Sequence, residues 1–216
     1  MFDIVSDLHF DNGMQGSPEG ILRTIDVTKY RNETARVLIV AGDTAERERD
    51  AADFLNNAAG HYEQVIAVLG NHDRLEDVAP ALADNVHVLD RTGCGFLWEG
   101  IAFVGACPLD FEAEAEVAER FAVAQRALDV ERVVLVVHYV PSRRFSQVAG
   151  RDIDNKAIDL LERLEPVRKP TLLVFGHVHL RFEGEIDGMR FLSNPRGYRG
   201  KLRDGSFWAG RFLFEA

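Results

Sequence analysis

Five short apolar runs rich in β-branched residues recur along the chain, and each stops at an aspartate, a histidine or a glycine. They are Phe2–Ser6, Arg36–Ala41, Gln64–Leu69, Arg132–Val137 and Thr171–Phe175. Runs this short and this continuous read as strands buried on both faces. Helical patterns lie between them, over Ala45–Ala59, Arg74–Ala83, Glu112–Leu128 and Asn155–Leu164. In the third of these, Val117, Phe121, Ala124 and Leu128 recur at helical spacing and predict a core-facing stripe.

The remaining segments are hairpin-like. "FLWEGIAFVGA" reads as two strands around Glu99–Gly100, and "RFEGEIDGMRFLSN" carries Asp187–Gly188, a type I′ turn signal, between alternating runs. "DGSFWAGRFLFE" adds a last aromatic strand, with Phe207, Trp208, Phe212 and Phe214 available for core packing or for pairing across a dimer. Strands alternating with helices, plus a meander, imply an α/β fold of mixed sheet packed by helices. No repeat or linker divides the 216 residues, so a single domain over 1–216 is expected.

Ligands of open α/β proteins bind beyond the carboxyl ends of the strands. The first run is followed by "SDLHFD" with Asp7 and His9, and the second by Gly42 and Asp43. The third is followed by Gly70, Asn71, His72 and Asp73, the fourth by His138, and the fifth by "GHVH" with His177 and His179. Of seven histidines, only His61 and His87 lie elsewhere. Singly, each has an ordinary reading: Asp7 as a turn residue or helix cap, Asn71 as a turn former, His138 as a core histidine. Five equivalent strand ends bearing carboxylate, imidazole or carboxamide are what a metal site requires.

Asp7, His9, Asp43, Asn71, His138, His177 and His179 are too many donors for one tetrahedral ion, and suit two ions sharing a carboxylate. The mixed nitrogen and oxygen set favours Mn²⁺, Fe, Zn²⁺, Co²⁺ or Ni²⁺ over Ca²⁺. A pair of ions about 3.5–4 Å apart is a clamp for in-line displacement at phosphorus. The two cysteines, Cys94 and Cys107, lack a metal-binding spacing and point to a reducing compartment.

Asp7-Leu8-His9, Gly42-Asp43, Gly70-Asn71-His72-Asp73, His138 and Gly176-His177-Val178-His179 resemble, in order, the five blocks of the calcineurin-like metallophosphoesterase family. The resemblance implies two β-sheets packed as a sandwich flanked by helices (αββα), with a dinuclear centre at the strand ends. It implies one ion on Asp7, His9, Asp43 and His179, and another on Asp43, Asn71, His138 and His177, with Asp43 bridging. The nucleophile implied is a hydroxide bridging the ions. His72 resembles the family's catalytic histidine, a general acid or phosphoryl stabiliser; Asp73 follows it, placed in the chain either to orient the imidazole or to raise its pKa. Where many members read GDxxD, this chain has Glu46, which either supports the site from outside the ligand set or begins the helix as a favourable acid.

Substrate contacts are sought in "SNPRGYRG", where Arg196 suits a phosphate and Tyr198 a base or sugar, the alternative being an ordinary turn. Arg143, shortly after His138, is a further candidate, and the Phe10–Gly20 loop a wall of the cleft. The expected activity is hydrolysis of phosphate esters, as a phosphodiesterase or phosphatase acting on a small nucleotide or phosphorylated metabolite. The alternatives are a nuclease on DNA or RNA, or a silent metal-binding scaffold. The absence of GDxVDRG and GNHE wording argues against a protein serine/threonine phosphatase.

The formal net charge of -10 gives no general attraction for nucleic acid or anionic lipid. No apolar run approaches the about 18 residues that span a bilayer. "MFDIVSD" lacks the features of a secretory leader, so the expected compartment is the cytoplasm.

Overall fold

The computed structural model describes residues 1–9, 27, 31–73, 82–90, 95–107, 114–145, 159–163, 170–197 and 211–212. Two mixed sheets face one another. The first has the order β11-β1-β2-β3-β4, from β1 (Phe2–Val5), β2 (Val37–Ala41), β3 (Gln64–Val68), β4 (Val86–Val88) and β11 (Arg211–Phe212). β1 to β4 run parallel, and β11 pairs antiparallel with β1. The second sheet has the order β5-β6-β7-β8-β10-β9. Its strands are β5 (Gly95–Trp98), β6 (Ile101–Ala106), β7 (Arg132–Val137), β8 (Leu172–Val174), β9 (Phe182–Ile186) and β10 (Met189–Ser193).

The period-two alternation of a strand explains the layers. Phe2, Ile4, Val37, Ile39 and Ala41 turn inward onto Phe103, Val134, Val136, Leu172 and Val174, which form the core between the sheets. The intervening Val5, Leu38 and Val40 face outward onto α1 (Glu48–Ala59) through Ala51, Phe54, Leu55 and Ala58. On the far side, Ala102, Val104, Leu135 and Val137 meet α2 (Glu114–Leu128) at Ala118, Phe121 and Ala124. The short α3 (Leu160–Arg163) closes that layer with Leu160.

All five apolar runs are strands, and both predicted hairpins form: β5 with β6, and β9 with β10 around Asp187 (φ 50°) and Gly188 (φ 78°). β4 is an addition, three residues paired to β3 at Val65↔Val86. α1 begins three residues later than its periodicity predicts; ahead of it, the amides of Thr44 and Ala45 bond to Asp73. Of the predicted helix over Arg74–Ala83, residues 74–81 lie outside the described residues; so do 112–113, 155–158 and 164 of the other two.

Register fixes the site. β1, β2 and β3 pair in step, Val5↔Val40 and Ala41↔Val68, so their carboxyl ends lie side by side. β7 and β8 do the same at Val136↔Val174. The ends of the two sheets meet where His138 Nδ1 lies 3.0 Å from the Ala41 carbonyl.

Candidate metal centre

Among the described residues the donors gather into two groups that share Asp43: Asp7, His9, Asp43 and His179, and Asp43, His138 and His177. Within each group the donor atoms lie within 4.8 Å of one another. Asn71 joins the second group, its Oδ1 3.1 Å from His138 Nε2 and 3.0 Å from His177 Nδ1. The structure therefore brings together all seven candidate donors.

The shared carboxylate is divided between two tasks. Asp43 Oδ1 accepts the His72 backbone N–H at 2.9 Å. Its Oδ2 stands 3.5 Å from His9 Nε2 and 3.3 Å from His138 Nε2, between the groups. Asp7 is held in a similar way: Ser6 Oγ donates to Oδ2 at 2.6 Å and the His177 N–H to Oδ1 at 2.9 Å, while Oδ1 also faces His179 Nε2 at 3.3 Å. These atoms are deeply placed, Asp7 and His138 at 0 % exposure and His9 and Asp43 at 2 %. Asn71 is exposed and His72, His177 and His179 half-buried, so the centre opens to solvent on their side.

The electrostatics favour positive charge at this spot. Burial disfavours a charged His138, but the hydrogen bond to Asp43 and its negative charge prevail and push the imidazole up to about 9. Burial likewise opposes ionisation of Asp43, and His138, the His72 N–H and His9 overcome it, holding the carboxyl well below the usual carboxylate range. His9 is lowered by burial against the pull of Asp43 and Asp7. With its Nδ1 engaged by the Ala41 carbonyl, His138 turns Nε2 toward the oxygens of Asp43 and Asn71. Converging lone pairs of imidazole, carboxylate and carboxamide fit a divalent cation of the nitrogen- and oxygen-binding kind.

The backbone is shaped to the same end. Asp7 (φ 50°), His9 (φ 42°), Asp43 (φ 54°), His177 (φ 69°) and His179 (φ 50°) all occupy the left-handed region. Each such residue costs on the order of 1–2 kcal/mol, and Asp and His enter that region more readily than most. Strain of this kind concentrates at functional sites. Gly176 is required by close approach, since a Cβ there would meet Asp7 Oδ2 at 2.7 Å and the Ala41 carbonyl at 2.9 Å.

Asp73 is not placed on the His72 imidazole. It accepts the N–H groups of Thr44 at 2.8 Å, Ala45 at 3.1 Å and Gly70 at 2.8 Å. Burial raises its carboxyl to about 6, against the lowering effect of the Gly70 and Ala45 amides. The carboxylate beside His72 is Glu46, whose Oε1 lies 3.4 Å from Nδ1, and Glu46 precedes α1 rather than beginning it. The His72 ring stands edge-on to His9, with centroids 5.1 Å apart.

The segment after β10 braces β1. Ser6 pairs with Pro195, Asn194 donates to the Ile4 carbonyl, and the Gly197 N–H donates to the Asp7 carbonyl at 2.9 Å. Arg196 donates from Nη1 to the Leu8 carbonyl at 2.9 Å, beside the donor loop. Arg143 is exposed and pairs with Asp159, outside the donor set. Tyr198 and the Phe10–Gly20 loop lie outside the described residues. Sequence reasoning passed over Tyr139, whose ring lies 4.5 Å from that of His177; its place directly after His138 was the available signal.

The family model described as calcineurin-like phosphoesterase matches residues 1–181. No curated protein matches the chain. A phosphopantetheinyl hydrolase from Mycobacterium tuberculosis shares the fold with a TM-score of 0.57 and 19% identity, over 96% of this chain and 94% of that one. A Staphylococcus aureus protein assigned as a 5′-nucleotidase gives a TM-score of 0.56 and 15% identity, over 89% of this chain and 48% of that one.

Proposed function

Because the chain belongs to the calcineurin-like phosphoesterase family and is thereby a metal-dependent phosphoester hydrolase, we propose that it works through two ions sharing Asp43 and acts on small phosphate esters. The observation that carries this reading is the position of Asp43 Oδ2 between His9 Nε2 and His138 Nε2, which joins two donor groups through one carboxylate. Asp7, His9, Asp43 and His179 would hold one ion, and Asp43, Asn71, His138 and His177 the other. When bound, the ions supply Lewis acidity, neutralising phosphoryl charge and acidifying the attacking water.

The side chains supply the rest. His72 sits on the open side, next to but outside the donor groups, with Glu46 at its Nδ1. We assign it the proton that the leaving oxygen takes up as the phosphorus–oxygen bond breaks, Glu46 balancing the imidazolium. Tyr139, half-buried against His177, walls the second group. The open side at Asn71, His72, His177 and His179 supports a small or extended substrate. The fold is shared nearly end to end with a protein named for phosphopantetheinyl hydrolysis, which supports the same size class here.

The test uses metal-stripped protein reconstituted with Mn²⁺, Zn²⁺, Ni²⁺, Co²⁺ or Mg²⁺ and assayed on matched chromogenic phosphodiester and phosphomonoester substrates. Activity should return with a transition metal, fall about 10²–10⁴-fold in His72→Ala, and vanish in Asp43→Ala. Undiminished turnover by Asp43→Ala, or tight metal binding with no cleavage of either ester, would overturn the reading. The diester-to-monoester ratio then selects the substrate class.

A further inference from the structure

Asp43 and Asp73 lie in two neighbouring loops, after β2 and β3, and the loops exchange carboxylates. The Asp43 carboxylate accepts the backbone N–H of His72, and the Asp73 carboxylate accepts those of Thr44 and Ala45. The second Asp73 oxygen closes its own turn on the Gly70 N–H at 2.8 Å, next to Asn71. Four hydrogen bonds between 2.8 and 3.1 Å thus lie within residues 43–45 and 70–73. Thr44 is 3 % exposed, so its amide has little access to water should the carboxylate be lost.

The two loops contribute unequally to the donor groups. Asp43 serves both, and Asn71 only the second. The other members of the first group are held without help from the loop after β3: Asp7 by Ser6, Gly42, Gly197 and the His177 N–H, and His9 by its N–H to the Asp43 carbonyl at 3.1 Å. In the second group, His138 is fixed by Ala41, and the spacing of Asp43 from Asn71 depends on the clasp.

We propose that Asp73 is a positioning residue whose clasp between the two loops sets the spacing of Asp43 and Asn71 and so governs the affinity of the second ion position selectively. This rests on the two-ion reading above. The reason is directional: each accepted amide fixes a loop that carries a donor, and partners of this kind outside the ligand set govern metal affinity by about 10–100-fold. Asparagine at this position keeps the shape but offers one acceptor oxygen where two oxygens now take three N–H groups.

The experiment is calorimetric titration of metal-stripped protein with Mn²⁺, combined with electron paramagnetic resonance of the loaded protein. Wild type should show two binding steps and a spin-coupled Mn²⁺ pair. Asp73→Asn should weaken one step about 10–100-fold, leave the other within about threefold, and yield an uncoupled single-ion spectrum at intermediate Mn²⁺. Glu46→Gln, which alters the partner of His72 and leaves the clasp intact, should change neither step. Should Asp73→Asn lose its cooperative thermal transition, Asp73→Glu, which keeps the carboxylate but displaces it by a methylene, carries the same expectation. Equal weakening of both steps, or no weakening, overturns the clasp while leaving two-ion chemistry standing. A single step in wild type overturns the two-ion reading and the clasp with it.

Discussion

A glycine's missing side chain is a measurable part of the metal centre. A Cβ on Gly70 would overlap both Asp43 Oδ1 and the Asp43 amide nitrogen, neither of which is the movable end of a long side chain. Asp43 would have to leave its place between His9 and His138, taking the shared oxygen from both donor groups. Gly70→Ala should therefore lower bound metal by more than about tenfold, as expected when a site is displaced rather than removed. Metal content measured after reconstitution checks this, with circular dichroism to establish that the sheets persist. At this scale the gathering of the candidate donors was legible, because each is a residue type able to bind metal and stands at a strand end. Partnerships among neighbours were not legible. Asp73 follows His72 in the chain, yet its carboxylate serves the loop backbone, and the imidazole meets Glu46, twenty-six positions earlier. Adjacency in sequence says little about which way a side chain turns when the backbone between them is left-handed or turning.

Elements carry polar groups that the core must satisfy. Asp3 lies within β1 on the face toward α1 at 4 % exposure, and accepts hydrogen bonds from Tyr62 Oη at 2.7 Å and from the Asn32 N–H at 2.9 Å. Burial, then Asp3, pushes the Tyr62 phenol far above its usual range, so it stays a donor at any working pH. Tyr62→Phe removes that donor and leaves a buried carboxylate short of a partner, at a cost of about 1–3 kcal/mol. Chemical denaturation should show a lower midpoint with an unchanged slope, and metal binding at the other end of the strand should be unaffected. The five buried strands were legible from their continuous β-branched runs, and the β9–β10 hairpin from Asp187–Gly188. β4 was not, because three residues hold too little periodicity and their pairing depends on β3 alongside. The start of α1 was not legible to the residue either: residues 45–47 lie ahead of the helix, in a loop held by Asp73 through the Thr44 and Ala45 amides, a contact from a distant part of the chain.

For the whole molecule, the two ends of the sandwich are joined by different means. At one, Arg36 before β2 forks onto Glu63 and Glu99, linking the β3 side of the first sheet to the β5–β6 turn of the second, with its guanidinium 4.7 Å from the Trp98 ring. All three charged side chains are 43–51% exposed, so this link contributes little. At the other end the sheets meet through the donors: Asp7, Asp43 and Asn71 follow strands of the first sheet, and His138 and His177 follow strands of the second. Two buried carboxylates there repel one another unless positive charge lies between them, and cations bound across the seam would tie sheet to sheet. Binding that favours the folded state stabilises it by about 2.7 kcal/mol at a hundredfold excess over Kd. In a chain of this size, that is a rise of about 5–10 °C in unfolding temperature. Thermal unfolding of metal-stripped protein with increasing Mn²⁺ should show this shift. Asp43→Ala, which takes a donor from both groups at once, should show almost none. Glu99→Gln, at the opposite end, should keep the full shift, because it weakens the other link and leaves the donors untouched. A rise of equal size in Asp43→Ala would mean that Mn²⁺ stabilises the fold from somewhere other than the seam.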